Sequence, residues 1–344
     1  MKTILHYFSA TGNTARAVKA IADRLASAGH EVSCPVVDGR AAPSQEIPDL
    51  TILAFPIWSW AAPHFVLEYA RRLPKAKGAR AAVFATCGGF GAQGVGEVAR
   101  VLRRRGYNVV CSGEVVYPDN WTMAQNPPTG DALAQALAKG DGKVAEFAAN
   151  LLSDHPTTFH CAFIHKVWSW TIAILFRLFG RRFLGKTFVA DAQCTSCGLC
   201  ASACPVQAIQ MTGTPKIPRW NASCAACYRC INLCPAKAIQ ISVPLMVFHL
   251  GLNLALTILC LGSIGWIHRQ LPPLPGAVGT GLAALIAIAV LAIVTMLQLT
   301  AVDGWLSRLA TRPPLRGFFT RNYTHAFGRY RAPGFQIGAK EQQS

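Results

Sequence analysis

The chain has 344 residues and 13 cysteines, is 52% hydrophobic and only 14% charged, and carries a formal net charge of +17. That length calls for two or more domains, and the apolar balance points to a membrane contribution. The basic excess is densest beside the apolar segments, with five cations and no carboxylate in residues 159–188; this is the pattern of an anionic lipid surface and argues against a nucleic-acid partner.

Residues 3–8 form an apolar run that reads as a buried strand. The run breaks into Ser9-Ala10-Thr11-Gly12-Asn13-Thr14, after which Ala17, Val18, Ile21, Ala22 and Leu25 share one helical face to about Ala28. A strand, a hydroxyl-rich turn and a helix N-terminus make an anion site, because free amides and the helix dipole favour phosphate. The turn is neither a Walker loop nor a GxGxxG fingerprint, which disfavours ATP and NAD. Further strands are predicted near 31–37, 50–55, 80–86 and 108–116, and helices near 63–72, 93–105 and 130–152. Five strands alternating with helices imply an α/β doubly wound parallel sheet, its ligand lying across the carboxyl ends of the strands. Three loops at those ends offer aromatics or close-approach glycines to a flat ring. One carries Trp58 and Trp60, one runs Thr86-Cys87-Gly88-Gly89-Phe90-Gly91, and one runs Tyr117-Pro118-Asp119-Asn120-Trp121. Cys87 reads as a packing residue.

On these residues the segment 1–155 resembles the flavodoxins. The Ser9–Thr14 turn matches their phosphate loop, and the later loops fall where theirs surround the flavin ring. The resemblance implies FMN. Ser9, Thr11, Gly12, Asn13 and Thr14 would hold its phosphate, Trp58 or Trp60 would flank the ring, and residues 86–91 with Tyr117, Asp119 and Asn120 would line the rest.

Residues 156–188 are apolar and aromatic, but the uninterrupted part, Val167 to Phe176, is too short to span a bilayer, which needs ~20 residues. The expectation is an amphipathic helix at the membrane interface, with Trp168 and Trp170 at headgroup depth, or alternatively a helix packed between two domains. His160 and His165 have no metal-ligand spacing around them and read as solvated or packed.

Residues 189–243 contain Cys194-x2-Cys197-x2-Cys200-x3-Cys204-Pro205 and, after nineteen residues, Cys224-x2-Cys227-x2-Cys230-x3-Cys234-Pro235. A cubane needs three thiolates from a tight loop and a fourth from a distant part of the chain, and in the two-cluster form the fourth cysteine of each run ligates the other cluster. The assignment is therefore Cys194, Cys197, Cys200 and Cys234 for cluster 1, and Cys224, Cys227, Cys230 and Cys204 for cluster 2. Tetrahedral zinc has no use for a third CxxC step, here present twice. The stretch resembles the bacterial two-cluster 4Fe-4S ferredoxin domain, and residues 204–209 and 234–239 are its internal repeat. The remaining cysteines, Cys34, Cys87, Cys111, Cys161 and Cys260, read as small buried side chains in a reducing compartment, with no leader expected before the first strand.

Within residues 244–302, Pro244–Trp266 and Ala277–Val302 are uncharged and long enough to cross a membrane, joined by a short Pro-rich link. The link carries Arg269 alone, whereas the tail 303–344 carries Arg308, Arg312, Arg316, Arg321, Arg329, Arg331 and Lys340. The positive-inside rule then puts both termini and both redox domains on the cytoplasmic side of the inner membrane. His249 and Asn253 lie one turn apart on the first span; an interhelical hydrogen bond is expected there, with a quinone contact as the alternative. The tail from Thr311 to Phe335 reads as a surface-lying or partner-binding segment.

The whole resembles flavodoxin-plus-ferredoxin fusion proteins, with a membrane hairpin added. The resemblance implies a membrane-anchored electron-transfer protein, with FMN and two 4Fe-4S clusters in one relay to a low-potential redox partner. The alternatives are a quinone or small-substrate reductase with a pocket near His249, and a non-catalytic redox subunit of a membrane complex.

Overall fold

The apolar runs of the first half become five strands, β1 (Lys2–Tyr7), β2 (Glu31–Ser33), β3 (Leu50–Pro56), β4 (Arg80–Cys87) and β5 (Asn108–Val116). The computed structural model that shows this describes residues 1–40, 42–153, 157–159, 161–272 and 276–336. The strands pair in parallel in the order β2-β1-β3-β4-β5, the flavodoxin-like order, whose switch point lies between β1 and β3. Helices α1 (Asn13–Ser27), α2 (His64–Arg72), α3 (Gly94–Arg104) and α4 (Gly130–Leu152) cover both faces. A sheet covered on both faces buries consecutive residues, and Ile52, Leu53, Ala54 and Phe55 are all buried. One core packs Phe55, Phe65, Val83 and Leu102; the other packs Ile21, Leu25, Ile52 and Phe84. The second strand stops at Ser33, short of the predicted Val37, with only a bridge from Tyr7 to Val36 beyond it. Pro35 lies between and has no N–H for the ladder.

Helix α5 (Phe163–Leu175), a π-helical turn (Phe176–Gly180) and α6 (Arg181–Thr187) follow one another without a break. One side packs inward. Ser169 and Ala173 are buried, Trp168 meets Trp60 edge to face at 4.7 Å, and Arg177 grips both oxygens of Glu97 at 2.6 and 2.5 Å. The other side leaves Phe163, Ile164, Val167, Leu175 and Leu178 exposed. The segment is thus packed like an interdomain helix on one face and apolar and open on the other. His165 meets Phe90 at 5.3 Å; His160 lies outside the described residues.

The cysteine-rich segment adds β6 (Phe188–Ala190), α7 (Leu199–Ser202), β7 (Ile209–Thr212), β8 (Ile217–Trp220), α8 (Arg229–Leu233) and β9 (Ile239–Ile241). Strands β6 and β9 pair antiparallel, as do β7 and β8.

Helix α9 (Val243–Gln270) starts at a Ser242 cap, whose hydroxyl accepts from the Leu245 amide at 3.2 Å. It and the continuous helix Gly276–Ala310 are long and apolar enough to cross a membrane. The second comprises α10 (Gly276–Leu297), a π-helical turn (Gln298–Val302) and α11 (Asp303–Ala310). It runs past the predicted end at Val302 because Asp303 does not face water. The carboxylate is paired with Lys186 of α6, their side chains 2% and 4% exposed, and His249 Nε2 lies 3.7 Å away. The Pro-rich link at 273–275 lies outside the described residues. His249 Nδ1 and Gln298 Nε2 stand 2.8 Å apart, and Thr295 Oγ1 donates to Asn253 Oδ1 at 3.5 Å, so the polar residues of the first apolar helix bond across to the second.

The tail, expected to be a surface-lying or partner-binding segment, packs against this chain's own domains. After α12 (Pro313–Phe319) it returns over both redox units. Thr324 Oγ1 donates to Gln240 Oε1 at 2.9 Å, and the Tyr330 hydroxyl donates to Asn13 Oδ1 at 2.5 Å. The Ala332 amide donates to Thr11 O at 2.8 Å. Lys340 lies outside the described residues.

Candidate functional site

Residues Ser9–Thr14 connect β1 to the N-terminus of α1. Gly12 has φ 108°, and a Cβ there would sit 2.6 Å from Phe335 Cβ, so the position takes only glycine. Three hydroxyls, those of Ser9, Thr11 and Thr14, are buried in the turn. The Gly12 amide donates to Ser9 Oγ at 3.1 Å, Thr14 Oγ1 and Thr86 Oγ1 share a hydrogen at 2.8 Å, and Asn120 Nδ2 donates to Thr11 Oγ1 at 3.2 Å. The turn carries no carboxylate. Neutral donors at a helix N-terminus fit a phosphate without needing a lysine.

Beside the turn opens a cavity of about 520 Å³, within the range of a cofactor site. Of the residues anticipated from sequence, it is lined by Ser9, Thr11, Asn13, Thr14, Trp58, Trp60, Thr86, Cys87, Gly88, Gly89, Phe90, Asp119 and Asn120. Gly12, Gly91 and Tyr117 stand outside that lining. Gly12 turns toward the tail, and Gly91 donates its amide to Glu114 Oε1 at 3.1 Å. Tyr117 is buried inward, its hydroxyl donating to Asp141 Oδ1 at 2.7 Å. Trp58 is wedged against Phe8 and Phe65 at 5.8 and 6.1 Å, whereas Trp60 is held from outside by Trp168. Gly88 is pressed by Asp119, whose Oδ2 would lie 2.7 Å from a Cβ. Burial pushes the Cys87 thiol up to about 12, so it packs as a thiol.

The far wall was not anticipated. It comes from Phe176 and Leu184 of the α5–α6 helix and from Ala226, Cys227 and Tyr228 of the second cysteine loop. One sequence signal marks it: the second loop has Ala225 and Ala226 where the first has polar Thr195 and Ser196, as a loop facing a cavity rather than water would.

The two cysteine loops repeat each other at an interval of 30 residues, and their left-handed positions do too: Ser196 with Ala226, Gly198 with Tyr228, Gln207 with Lys237. The backbone donates to sulfur at matching places, from Ala208 to Cys204 Sγ at 3.2 Å and from Ala238 to Cys234 Sγ at 3.3 Å. Such N–H···S contacts tune cluster potential. The thiols act on one another in two sets. Burial first, and then the nearness of Cys194, Cys234 and Cys197, raises the Cys200 thiol to about 12. Burial and then Cys227, Cys224 and Cys204 raise Cys230 well above the usual thiol range. Among the described residues no three His, Cys, Asp or Glu side chains close on a single ion. Two sets of four thiols that act on one another fit a pair of cubanes. Cys197 is exposed, whereas Cys204, Cys224 and Cys230 are buried. The first set therefore faces the surface, and the second lies inside, next to the cavity. Helix α6 presses on the second set, since a Cβ at Gly185 would meet Cys224 Cβ at 2.6 Å. Cys111 and Cys161 are buried as expected, but Cys34 and Cys260 are only half-buried.

The two halves are joined by direct bonds. Arg229 Nη1 donates to Ser9 O at 2.7 Å, Asn232 Nδ2 to Asn120 O at 3.0 Å, and Trp121 Nε1 to the Tyr228 hydroxyl at 3.2 Å.

Residues 193–239 match the family model of the 4Fe-4S dicluster domain. The chain carries that domain, which implies two 4Fe-4S clusters. Among solved structures, similarity extends to the Streptococcus pneumonia TIGR4 flavodoxin, with 17% identity over 44% of this chain and 99% of that one and a TM-score of 0.33. Oxidised flavodoxin 2 from Bacillus cereus has 20% identity over 44% and 99%, with a TM-score of 0.31. The rubredoxin oxygen:oxidoreductase from Desulfovibrio gigas has 16% identity over 44% and 36%, with a TM-score of 0.29. No curated protein matches the chain.

Proposed function

We infer that the chain is a membrane-anchored electron-transfer protein with FMN in the cavity at the head of the sheet. Its clusters would be held by Cys194, Cys197, Cys200 and Cys234, and by Cys224, Cys227, Cys230 and Cys204. One observation carries this reading: Ser9, Thr11, Asn13 and Thr14 line the same cavity as Cys227. A flavin there exchanges electrons in pairs or singly, and a cubane passes one at a time, so the pair converts between the two regimes. The chain's own residues would hold the phosphate, through the α1 N-terminus and the Ser9, Thr11 and Thr14 hydroxyls. Trp60 and Tyr228 would bound the ring, and the α5–α6 helix would keep water from it. Exposed Cys197 marks the face where a low-potential acceptor would dock.

Helix α9 and the helix Gly276–Ala310 would anchor the protein in the inner membrane, and the arginines after them would keep the redox units on the cytoplasmic side. Lys186 and Asp303 also line a small cavity of about 30 Å³, room for a water.

The test is anaerobic. Detergent-purified protein is assayed for iron, sulfide and flavin, then reduced stepwise at the flavin and followed by EPR. The expected result is about eight irons and one FMN per chain, with cluster signals growing as flavin is reduced. Clusters that stay silent under fully reduced flavin would overturn the relay.

A further inference from the structure

We propose that the groove between α3 and α5 binds the headgroup of an anionic phospholipid drawn from the bilayer. The proposal rests on the membrane-anchored reading above. The groove holds about 620 Å³ and shares no lining residue with the flavin cavity.

Its chemistry is that of an anionic amphiphile. Arg100 and Arg103 stand one turn apart on α3, and Lys166 faces them from α5. Among the described residues the lining contains no carboxylate, and Glu97, the acidic residue of α3, is already held by Arg177. Gln93, 6% exposed, lines the groove, and its Nε2 has no hydrogen-bond partner among the described residues. A buried donor without an acceptor is costly, and a phosphate oxygen supplies the acceptor. The cations and the amide can each donate to the oxygens of a phosphodiester, the cations through charge-assisted bonds.

The other wall selects the source of the anion. Val167 and Trp170 line the groove and are also exposed. They continue the open apolar face of Phe163, Ile164 and Leu175. Free phosphate would satisfy the cations and leave that wall in water. A lipid satisfies both, with its head among the arginines and its chain along α5, where a tryptophan at headgroup depth is the common arrangement.

The experiment uses the full-length protein with its cofactors. It is reconstituted in phosphatidylcholine vesicles with or without phosphatidylglycerol, floated, extracted into detergent, and examined by native mass spectrometry for retained lipid. Wild type is expected to keep one phosphatidylglycerol in preference to phosphatidylcholine. Arg100→Gln/Arg103→Gln should lower the retained fraction roughly tenfold, through loss of two charge-assisted contacts. Gly96→Met is the second variant. A Cβ at Gly96 meets nothing within 4 Å, so the new side chain occupies the groove while the cations stay; it should lower retention to the same degree. If both variants keep the lipid as wild type does, the site is wrong. If excess inorganic phosphate strips the lipid and replaces it, the groove is a soluble-anion site and the proposal is overturned. Wild type that fails to float with either vesicle would sink the anchoring reading instead; wild type that floats without preference for phosphatidylglycerol would sink only the groove.

Discussion

Asn232 Nδ2 donates to the main-chain oxygen of Asn120 at 3.0 Å, tying the helix of the second cysteine loop to the loop after the fifth strand. The same side chain donates to Tyr228 O at 3.0 Å and accepts from Thr122 Oγ1 at 3.0 Å and from the Tyr330 amide at 2.8 Å. One buried amide thus joins the sheet domain, the cluster domain and the tail. Asn232→Leu keeps the volume and strands several buried partners, each costing about 1–3 kcal/mol. Urea unfolding followed by flavin release should show a loss of about 3 kcal/mol. An unchanged midpoint would mean that apolar packing alone docks the two units.

Tyr228 stands 30 residues after Gly198 in the equivalent left-handed place, φ 55° against 76°. A side chain in that conformation costs about 1–2 kcal/mol, yet its ring packs on Phe188 at 5.5 Å. Removing a buried aromatic costs about 3–5 kcal/mol, so packing outweighs strain. Tyr228→Gly should therefore destabilise by about 2 kcal/mol in spite of the relieved backbone. Gly198→Ala should cost about 1 kcal/mol, because that site gains strain and no packing. Calorimetry on both variants decides the order.

The grouping of thiols predicts which cysteine variants look alike. Cys204→Ala should reproduce the EPR spectrum of Cys227→Ala, and Cys234→Ala that of Cys197→Ala, each with about half the iron. A Cys204→Ala spectrum that matched Cys197→Ala instead would show each loop closing on its own cluster.

Lys186 and Asp303 are a buried ion pair where α6 meets the second long apolar helix. Removing one partner leaves a bare charge, and Lys186→Met or Asp303→Asn should each cost about 3–5 kcal/mol. The double change Lys186→Met/Asp303→Leu should recover most of that. Thermal unfolding in detergent, run as a double-mutant cycle, measures the coupling.

His6 is 2% exposed and shares a hydrogen with the Tyr69 hydroxyl at 2.9 Å. Burial lowers its pKa to about 4, so the fold holds it neutral while the unfolded chain takes up a proton near pH ~6.5. Its contribution is complete above ~6.5 and is lost as pH falls from there to about 4, a change of about 3 kcal/mol. His6→Gln should flatten the stability–pH curve in that window. A curve of unchanged slope would place the titration elsewhere.

Local patterns carried much of this architecture. The strands at 50, 80 and 108 and the helix at 130 begin at or close to where apolar runs and turn residues put them, because each is decided by its own few residues. The turn between β1 and α1 and the repeat of the two cysteine loops were legible for the same reason. Tyr117 was not. It lies among ring-binding neighbours in sequence, but its side chain faces Gly140, with ring carbons 2.4 Å from where a Cβ there would be. Asp303 read as the end of an apolar span, since its partner Lys186 lies 117 residues earlier. The tail's role depends on contacts such as Tyr330 with Asn13, 317 residues apart, and no periodicity encodes a separation of that size.

The tail also imposes an order on synthesis. Residues 324–332 follow the apolar hairpin, yet they close on Thr11 and Asn13 near the other end of the chain. A ribosome delivers the phosphate turn first and its clasp last, after both long apolar helices have emerged. Until then the sheet and the cysteine loops are held to each other by their own direct bonds alone. A nascent chain that failed to place its two long apolar helices would hold the clasp away from its seat, so the placing of those helices and the closing of the tail over the turn become one event.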